Sequence, residues 1–468
     1  LNVNFPIIVY SRRIAVLSLT LGLLAGCATF RSYDKELTGT INLAASGNID
    51  GAIKNLESEN RFGQKDLLYY LELGELQRLA QRYAESIKAW MSADERVQEW
   101  EKTAAYNPEK LLGGVGSVLL NDKSRPYEGH DYEKVMLTTR LALDRLAEGD
   151  FDTARVDIKR THEREAIIAD LRAKELQKTE DEARKKGVKT SFKELNGYPV
   201  ETINSPEINA LKNSYESAFS HYLAGFVYEA LGEPSLAAAG YRQAIELQPG
   251  RPVLEEALAN LDARTAAPAD GLTDVLFVVE TGTAPARKSR QFSLPFPYRR
   301  RLLVIPVSFP VMVASTPAFM PTQLQIRNGP TVSPVVITNV DLMARKALQE
   351  EMPGIILRGI IRSSGKAIAQ YEAGKNDQTG LVSLALAIGS IVTESADERT
   401  WRSLPAQIAI ARARVPSGAH VMSFGGHDIG FSVSGRYAVV GVRLLGGNAF
   451  AGFAPASTVR PEVIEVPR

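Results

Sequence analysis

Four turn positions restrict this chain more than any other feature. Gly47, Gln81, Gly149 and Gly232 each stand between two stretches of helical apolar periodicity. Gln81 lies 34 residues after Gly47, Gly149 a further 68 on, and Gly232 a further 83 on. The first step is one period of about 34 residues and the second is two. Five positions after each turn comes a small residue: Ala52, Ser86, Ala154 and Ala237. Nine positions after it comes a large apolar one: Leu56, Trp90, Ile158 and Tyr241. A unit of this length is a pair of helices that cannot bury its apolar face alone, so neighbouring units must stack. Unrelated amphipathic hairpins share much of this apolar spacing.

The fullest copy favours the repeat. Ala224, Gly225, Tyr228, Gly232, Ala237, Tyr241, Ala244 and Pro249 match the tetratricopeptide signature, and His221 stands where its first aromatic belongs. The small residues let two helices approach closely, the aromatics fill the groove between them, and Pro249 ends the second helix. Two segments interrupt the array. Residues 107–132 carry Gly-rich and Pro-rich turns. Residues 156–186, dense in Glu, Lys and Arg, predict one long helix stopped by Gly187, and Ser205-Pro206 reads as the cap and first residue of the next.

Charge divides the chain again. The net charge of +1 over 468 residues conceals 32 basic and 40 acidic residues in 28–264 and 21 basic and 14 acidic in 265–468. The shift falls at Thr265–Asp270, a small-residue and proline linker. The expected fold class is therefore α+β multidomain. Residues 28–264 form an all-α tetratricopeptide-like repeat domain, and residues 265–468 a smaller mixed α+β domain. In the latter, strands are expected at Val275–Val279, at Leu302–Val313 as an edge because of Pro306 and Pro310, and at Thr331–Val340. A helix capped by Asp341 should break at Pro353 and resume over Ile355–Tyr371. The apolar run Leu381–Val392 is too short to cross a bilayer and reads as a core helix. Strands should return at Ile408–Val415, Phe431–Val433 and Tyr437–Leu445. Lys288, Arg290 and Arg299–Arg301 flank the aromatic stretch Phe292–Tyr298, which reads as an exposed basic loop. The C-terminal domain should dock on outer helices near Arg251–Arg264 and leave the repeat groove open.

The first 27 residues read as an address. Arg12 and Arg13 precede the apolar run Ile14–Leu24, which ends in Leu24-Ala25-Gly26-Cys27. This resembles the lipobox of bacterial lipoproteins, with Cys27 as the lipid attachment. Ala28 rather than Asp follows it, which in enteric-type lipoproteins implies the outer membrane. Residues 1–27 are thus expected to be a lipoprotein signal peptide, and the mature chain to be held by an N-terminal lipid and to face the periplasm. Cys27 is the only cysteine, which excludes a disulfide framework, a cysteine zinc site and an iron–sulfur cluster. The near-neutral total charge gives no pointer to nucleic acid.

Catalytic motifs do not emerge. Gly359–Lys366 is one residue too long for a phosphate-binding loop, and Ala367 stands where Ser or Thr belongs. His162-Glu163 is not continued into a His-Glu-x-x-His motif, and no Gly-x-Ser-x-Gly elbow occurs. His420, His427 and Asp428 read as surface polar residues. Neither a cofactor nor a metal is expected, and the chain is read as no enzyme. One cluster is more pointed. Asp397, Arg399 and Trp401, followed by Leu404-Pro405, read as a helix-to-strand corner tied by an ion pair over a packed Trp, or as a ligand site built there.

Pro126–Val135, Leu141–Leu143, Gly149–Phe151, Asp341, Leu357-Arg358, Arg362 and the Asp397–Pro405 segment together resemble a family of uncharacterised bacterial outer-membrane lipoproteins with tetratricopeptide-like repeats. The resemblance spans most of the mature chain and carries over no catalytic residue. It implies a cell-envelope setting, with envelope proteins as partners, among them peptidoglycan-synthesis lipoproteins. Two functions follow as expectations. One is a non-enzymatic adaptor whose solenoid binds a protein. The other is a glycan-binding or glycan-processing envelope protein with its site in the C-terminal domain, for which Asp341, Asp397 and Glu398 would have to share a cleft.

Overall fold

In a computed structural model, the described residues are 33–60, 65–111, 125–268, 270–298, 301–313, 318–376 and 395–452. Cys27 and the Leu381–Val392 run lie outside them. Helical hairpins come first: α1 (Tyr33–Ala45) with α2 (Ile49–Glu59), α3 (Leu67–Leu79) with α4 (Tyr83–Tyr106), α5 (Asp131–Ala147) with α6 (Phe151–Lys186), and α7 (Ala218–Ala230) with α8 (Pro234–Leu247). The four turn positions all lie in the left-handed region, with φ of 87° at Gly47, 58° at Gln81, 81° at Gly149 and 74° at Gly232. Glycine adopts this conformation without strain, while Gln81 adopts it at a cost.

The small–large pairing has the same geometry in two hairpins. A Cβ on Gly74 would stand 2.2 Å from the Trp90 ring, and one on Gly225 would stand 2.5 Å from the Tyr241 ring. A Cβ on Gly240 would stand 2.7 Å from the Gly225 backbone nitrogen, so the two glycines face each other across the second hairpin. Helix α6 runs to Lys186 and stops at Gly187 with φ 63°, and Ser205 Oγ accepts from the Ile208 amide. Two short helices, α9 (Pro252–Ala259) and α10 (Leu261–Ala266), end the helical half.

The second half is α+β. A five-stranded sheet has the order β11-β10-β1-β7-β6, where β1 is Leu272–Thr281, β6 Val335–Asn339, β7 Gln407–Pro416, β10 Tyr437–Leu445 and β11 Asn448–Ala451. β1 and β10 are parallel and their other neighbours antiparallel. A smaller sheet joins β4 (Leu324–Ile326), β5 (Thr331–Val332), β8 (Gly418–Phe424) and β9 (His427–Val433). Alternation along β1 sends Leu276 and Val278 toward the helices and Val275, Phe277 and Val279 toward the smaller sheet. That double burial explains its unbroken apolar sequence.

Three sequence expectations are corrected. Arg287–Tyr298 is no loop but strand β2, paired along its whole length with β3 (Arg301–Met312). A two-stranded ribbon tolerates its four prolines because each strand keeps one free edge. Pro353 does not interrupt the helix, which runs as α11 from Val340 to Asn376. Its first-turn amide at Leu342 is capped by Asn339 Oδ1 at 3.1 Å, while Asp341 pairs with Arg345. The third expected strand is split into β5 and β6 around Ser333-Pro334.

The largest correction concerns the groove. One hydrophobic core runs through both halves, from Leu37, Leu71 and Phe226 in the helices to Leu276, Ile305, Trp401 and Ile408. All four first helices of the hairpins bind the C-terminal half. Asp34 of α1 pairs with Arg402, Glu75 of α3 with Arg443, Arg140 of α5 with Glu280, and Glu229 of α7 with Arg412. The face expected to stay open is covered by the chain's own C-terminal half. Contacts near Arg264 also form, where Arg436 reaches the Arg264 and Ala267 carbonyls.

Candidate functional site

The segment Ala396–Pro405 threads between helices and sheet, and two buried glutamates hold it. Glu133 accepts the Trp401 amide at 2.7 Å, and Glu72 accepts the amides of Arg402 at 2.6 Å and Ser403 at 3.1 Å. Three consecutive backbone donors that no strand could satisfy thereby find carboxylate acceptors. Glu133 also receives the Tyr127 hydroxyl and the His130 amide, the second being its capping bond at the start of α5. Tyr132 and Thr400 hydroxyls meet at 2.9 Å beside the same carboxylate. Burial pushes the Glu72 carboxyl up to about 7, against the pull of the Arg402 and Ser403 amides.

Trp401 is fully buried and packs edge-to-face on Trp90, with ring centroids 6.1 Å apart. Its indole donates to Ser403 Oγ at 3.1 Å. It is an anchor of the segment and offers no surface to a ligand. Asp397 and Arg399 form the ion pair that fixes the turn, with Arg399 Nε 2.8 Å from Oδ1 and Nη2 2.7 Å from Oδ2. Unlike Trp401, both line a cavity of about 180 Å³. Asp341 and Glu398 are engaged elsewhere, with Arg345 and with the Ser289 amide.

The cavity lies among the Arg125–His130 loop, helices α6 and α11, the start of β2, and Asp397–Arg399. Two stretches far apart in sequence thus meet there: His130 Nε2 stands 3.1 Å from the Arg399 carbonyl. Five arginines line it. Arg172 is held by Asp131 and Glu175, and Arg399 by Asp397. Arg287 is 3% exposed, and it gives Nη1 to Glu351, at 2.8 Å; among the described residues Nε and Nη2 have no partner. Glu351 is shared with His130 Nδ1 at 3.0 Å. Burial alone would raise the Glu351 carboxyl, but Arg287 and His130 hold it well below the usual range. Among the described residues Arg125 and Arg358 pair with no carboxylate, and Glu128 beside them with no cation. Arg358 Nε is buried and unpartnered as well. A buried guanidinium with two unmade hydrogen bonds, next to a second unpaired guanidinium, is chemistry for a planar anion.

Sequence reasoning picked out Asp397 and Arg399, whose pairing is local, and the Pro126–Val135 stretch. It missed Arg287, which it left unsingled among a basic stretch, and Glu351. It named Arg358 only within a resemblance. No local pattern marks these three, because the cavity forms only when β2 and α11 converge.

No protein-family model matches the chain. No curated protein matches it either. Among solved structures, it is similar to a tetratricopeptide repeat protein from Parabacteroides merdae ATCC 43184, at 14% identity over 49% of this chain and 98% of that one, with a TM-score of 0.14.

Proposed function

We propose that this protein is a non-enzymatic binding adaptor of the cell envelope, tethered through Cys27 to the outer membrane and facing the periplasm. Arginine-lined recognition of an anionic group on a partner envelope protein is its working element. One observation carries this reading: the Arg287 guanidinium, buried with Nε and Nη2 unpartnered at a cavity that Arg358 also lines. The helical hairpins form a repeat array of a type that serves protein interaction. Its first-helix face is already occupied by the C-terminal half, so the partner meets the protein at the junction rather than in a groove. The tether rests on the Leu24-Ala25-Gly26-Cys27 sequence.

A second reading is recognition of an acidic glycan by the same cavity. The Asp397–Arg399 wall belongs to the C-terminal half, where a glycan site was expected, and a polar recess fits a carboxylate-bearing sugar as well as an acidic side chain. The test is a photo-crosslinking residue placed at Glu128 in the full-length protein, in cells. Adducts with envelope proteins, lost on Arg358→Ala, support the adaptor. Adducts with peptidoglycan fragments alone support the glycan reading. Adducts unchanged by Arg358→Ala contradict both. The tether is tested separately by fatty-acid labelling: Cys27→Ser is expected to abolish it, and undiminished labelling would refute it.

A further inference from the structure

About two helical turns from the cavity's Arg172, helices α6 and α7 bring together three side chains whose ligating atoms have no hydrogen-bond partners among the described residues. His162 and Glu165 stand one helical turn apart on α6, and His221 stands on α7. One donor atom from each lies within 4.8 Å of the other two. Glu165 Oε2 is 3.4 Å from His221 Nε2, and the two imidazoles stack with centroids 5.0 Å apart. His162 Nε2, His221 Nε2 and Glu165 Oε1 are all buried without a hydrogen-bond partner among the described residues. Leaving three such atoms unsatisfied in one place disfavours folding, and native structures rarely do so without a reason.

We propose that His162, Glu165 and His221 bind a divalent cation, Zn²⁺ by their donor set, that clamps the long helix α6 to the α7–α8 hairpin. Two imidazoles and one carboxylate are a common protein donor set for zinc, and a tetrahedral ion brings its ligands to about the separation already seen between Glu165 and His221. Burial keeps the imidazoles neutral, holding His162 low and His221 down to about 3, so their lone pairs are available at neutral pH. Burial also pushes the Glu165 carboxyl well up. His221 occupies the position where the repeat signature carries an aromatic, which accounts for that departure from the pattern.

The test uses the full-length protein, stripped by chelator and titrated with Zn²⁺, and with Co²⁺ as a spectroscopic probe. One equivalent should bind, and Co²⁺ should show the ligand-field absorption of a low-coordinate nitrogen–oxygen site. His162→Ala and Glu165→Gln should each weaken binding by at least about tenfold, the loss seen even for groups that only support a ligand. His162 is only half-buried and Gln is isosteric with Glu, so both variants are expected to fold, which circular dichroism checks. Absence of stoichiometric binding, or affinity unchanged in both variants, overturns the proposal.

Discussion

Arg140 of helix α5 and Glu280 of strand β1 form an ion pair with both side chains sealed from solvent. Arg140 also grips Glu75 through Nη2 at 2.6 Å, while Arg78 pairs with Asp144 and Arg443 lies 3.8 Å from Glu75. Three guanidiniums and three carboxylates thus balance inside the molecule. The opposite net charges of the two halves are joined here by neutralised buried pairs and not by a wet, salt-sensitive surface.

Removing one member of such a network leaves its partners charged and buried. Arg140→Ala is expected to destabilise the protein by about 3–5 kcal/mol. Because Glu75 and Glu280 lie in different halves, both halves should lose stability in one denaturant transition. Two separated transitions, followed by helical and by tryptophan signals, would show independent domains instead.

The same logic applies to dissection. A fragment ending at residue 264 would expose Glu72, Glu133 and Arg140 together with the apolar face they surround. It is expected to lack a cooperative thermal transition and to bind a dye for exposed apolar surface. A sharp transition for the fragment would restore the picture of a self-sufficient repeat domain.

Trp401→Ala removes a fully buried ring from against Trp90. The expected loss is about 3–5 kcal/mol. Trp90 fluorescence should shift toward that of a hydrated indole.

Gly225→Ala tests the hairpin packing, since the added methyl would lie 2.5 Å from the Tyr241 ring. Overpacking of this kind costs about 1–3 kcal/mol. Equal stability of the variant by chemical denaturation would mean the helices are less closely apposed.

Glu72 gives the protein a pH dependence of defined sign. Its carboxyl titrates near 7 in the folded chain against 4.5 when unperturbed, so between those values the native state holds a proton that the unfolded state has lost. Stability then falls as pH rises from about 4.5 to 7, by at most about 3 kcal/mol from this group. Asp144, raised to about 6 by burial, slopes the same way over a lower window. Glu229 is opposite. Burial would raise it, but hydrogen bonds from Arg264 and Arg412 hold it at about 2, so its contribution is lost as pH falls from 4.5 to 2. Denaturation midpoints across this range should peak on the acid side of neutrality, and Glu72→Gln should flatten the neutral limb.

What the sequence disclosed was local. Gly47, Gln81, Gly149 and Gly232 could be read because a left-handed turn and its flanking helices lie within one repeat. Asp397 and Arg399 could be read because two residues separate them. Prolines concealed β2, since Pro295 and Pro297 argue against a strand unless it is known to be half of a lone ribbon. The grip of Glu72 on Arg402 and Ser403, some 330 residues along the chain, leaves no mark in either segment. His162 and Glu165 meet His221 only when α6 lies against α7, so no contiguous motif announces that site.

Hydrogen exchange at the amides of Trp401, Arg402 and Ser403 in the full-length protein tests most directly whether the C-terminal half is the occupant of the helical array. If Glu133 and Glu72 hold these donors in the buried junction, they should exchange only with global unfolding, together with the amides of α3 and α5. Rapid exchange at 401–403 while α3 and α5 stay protected would contradict this account.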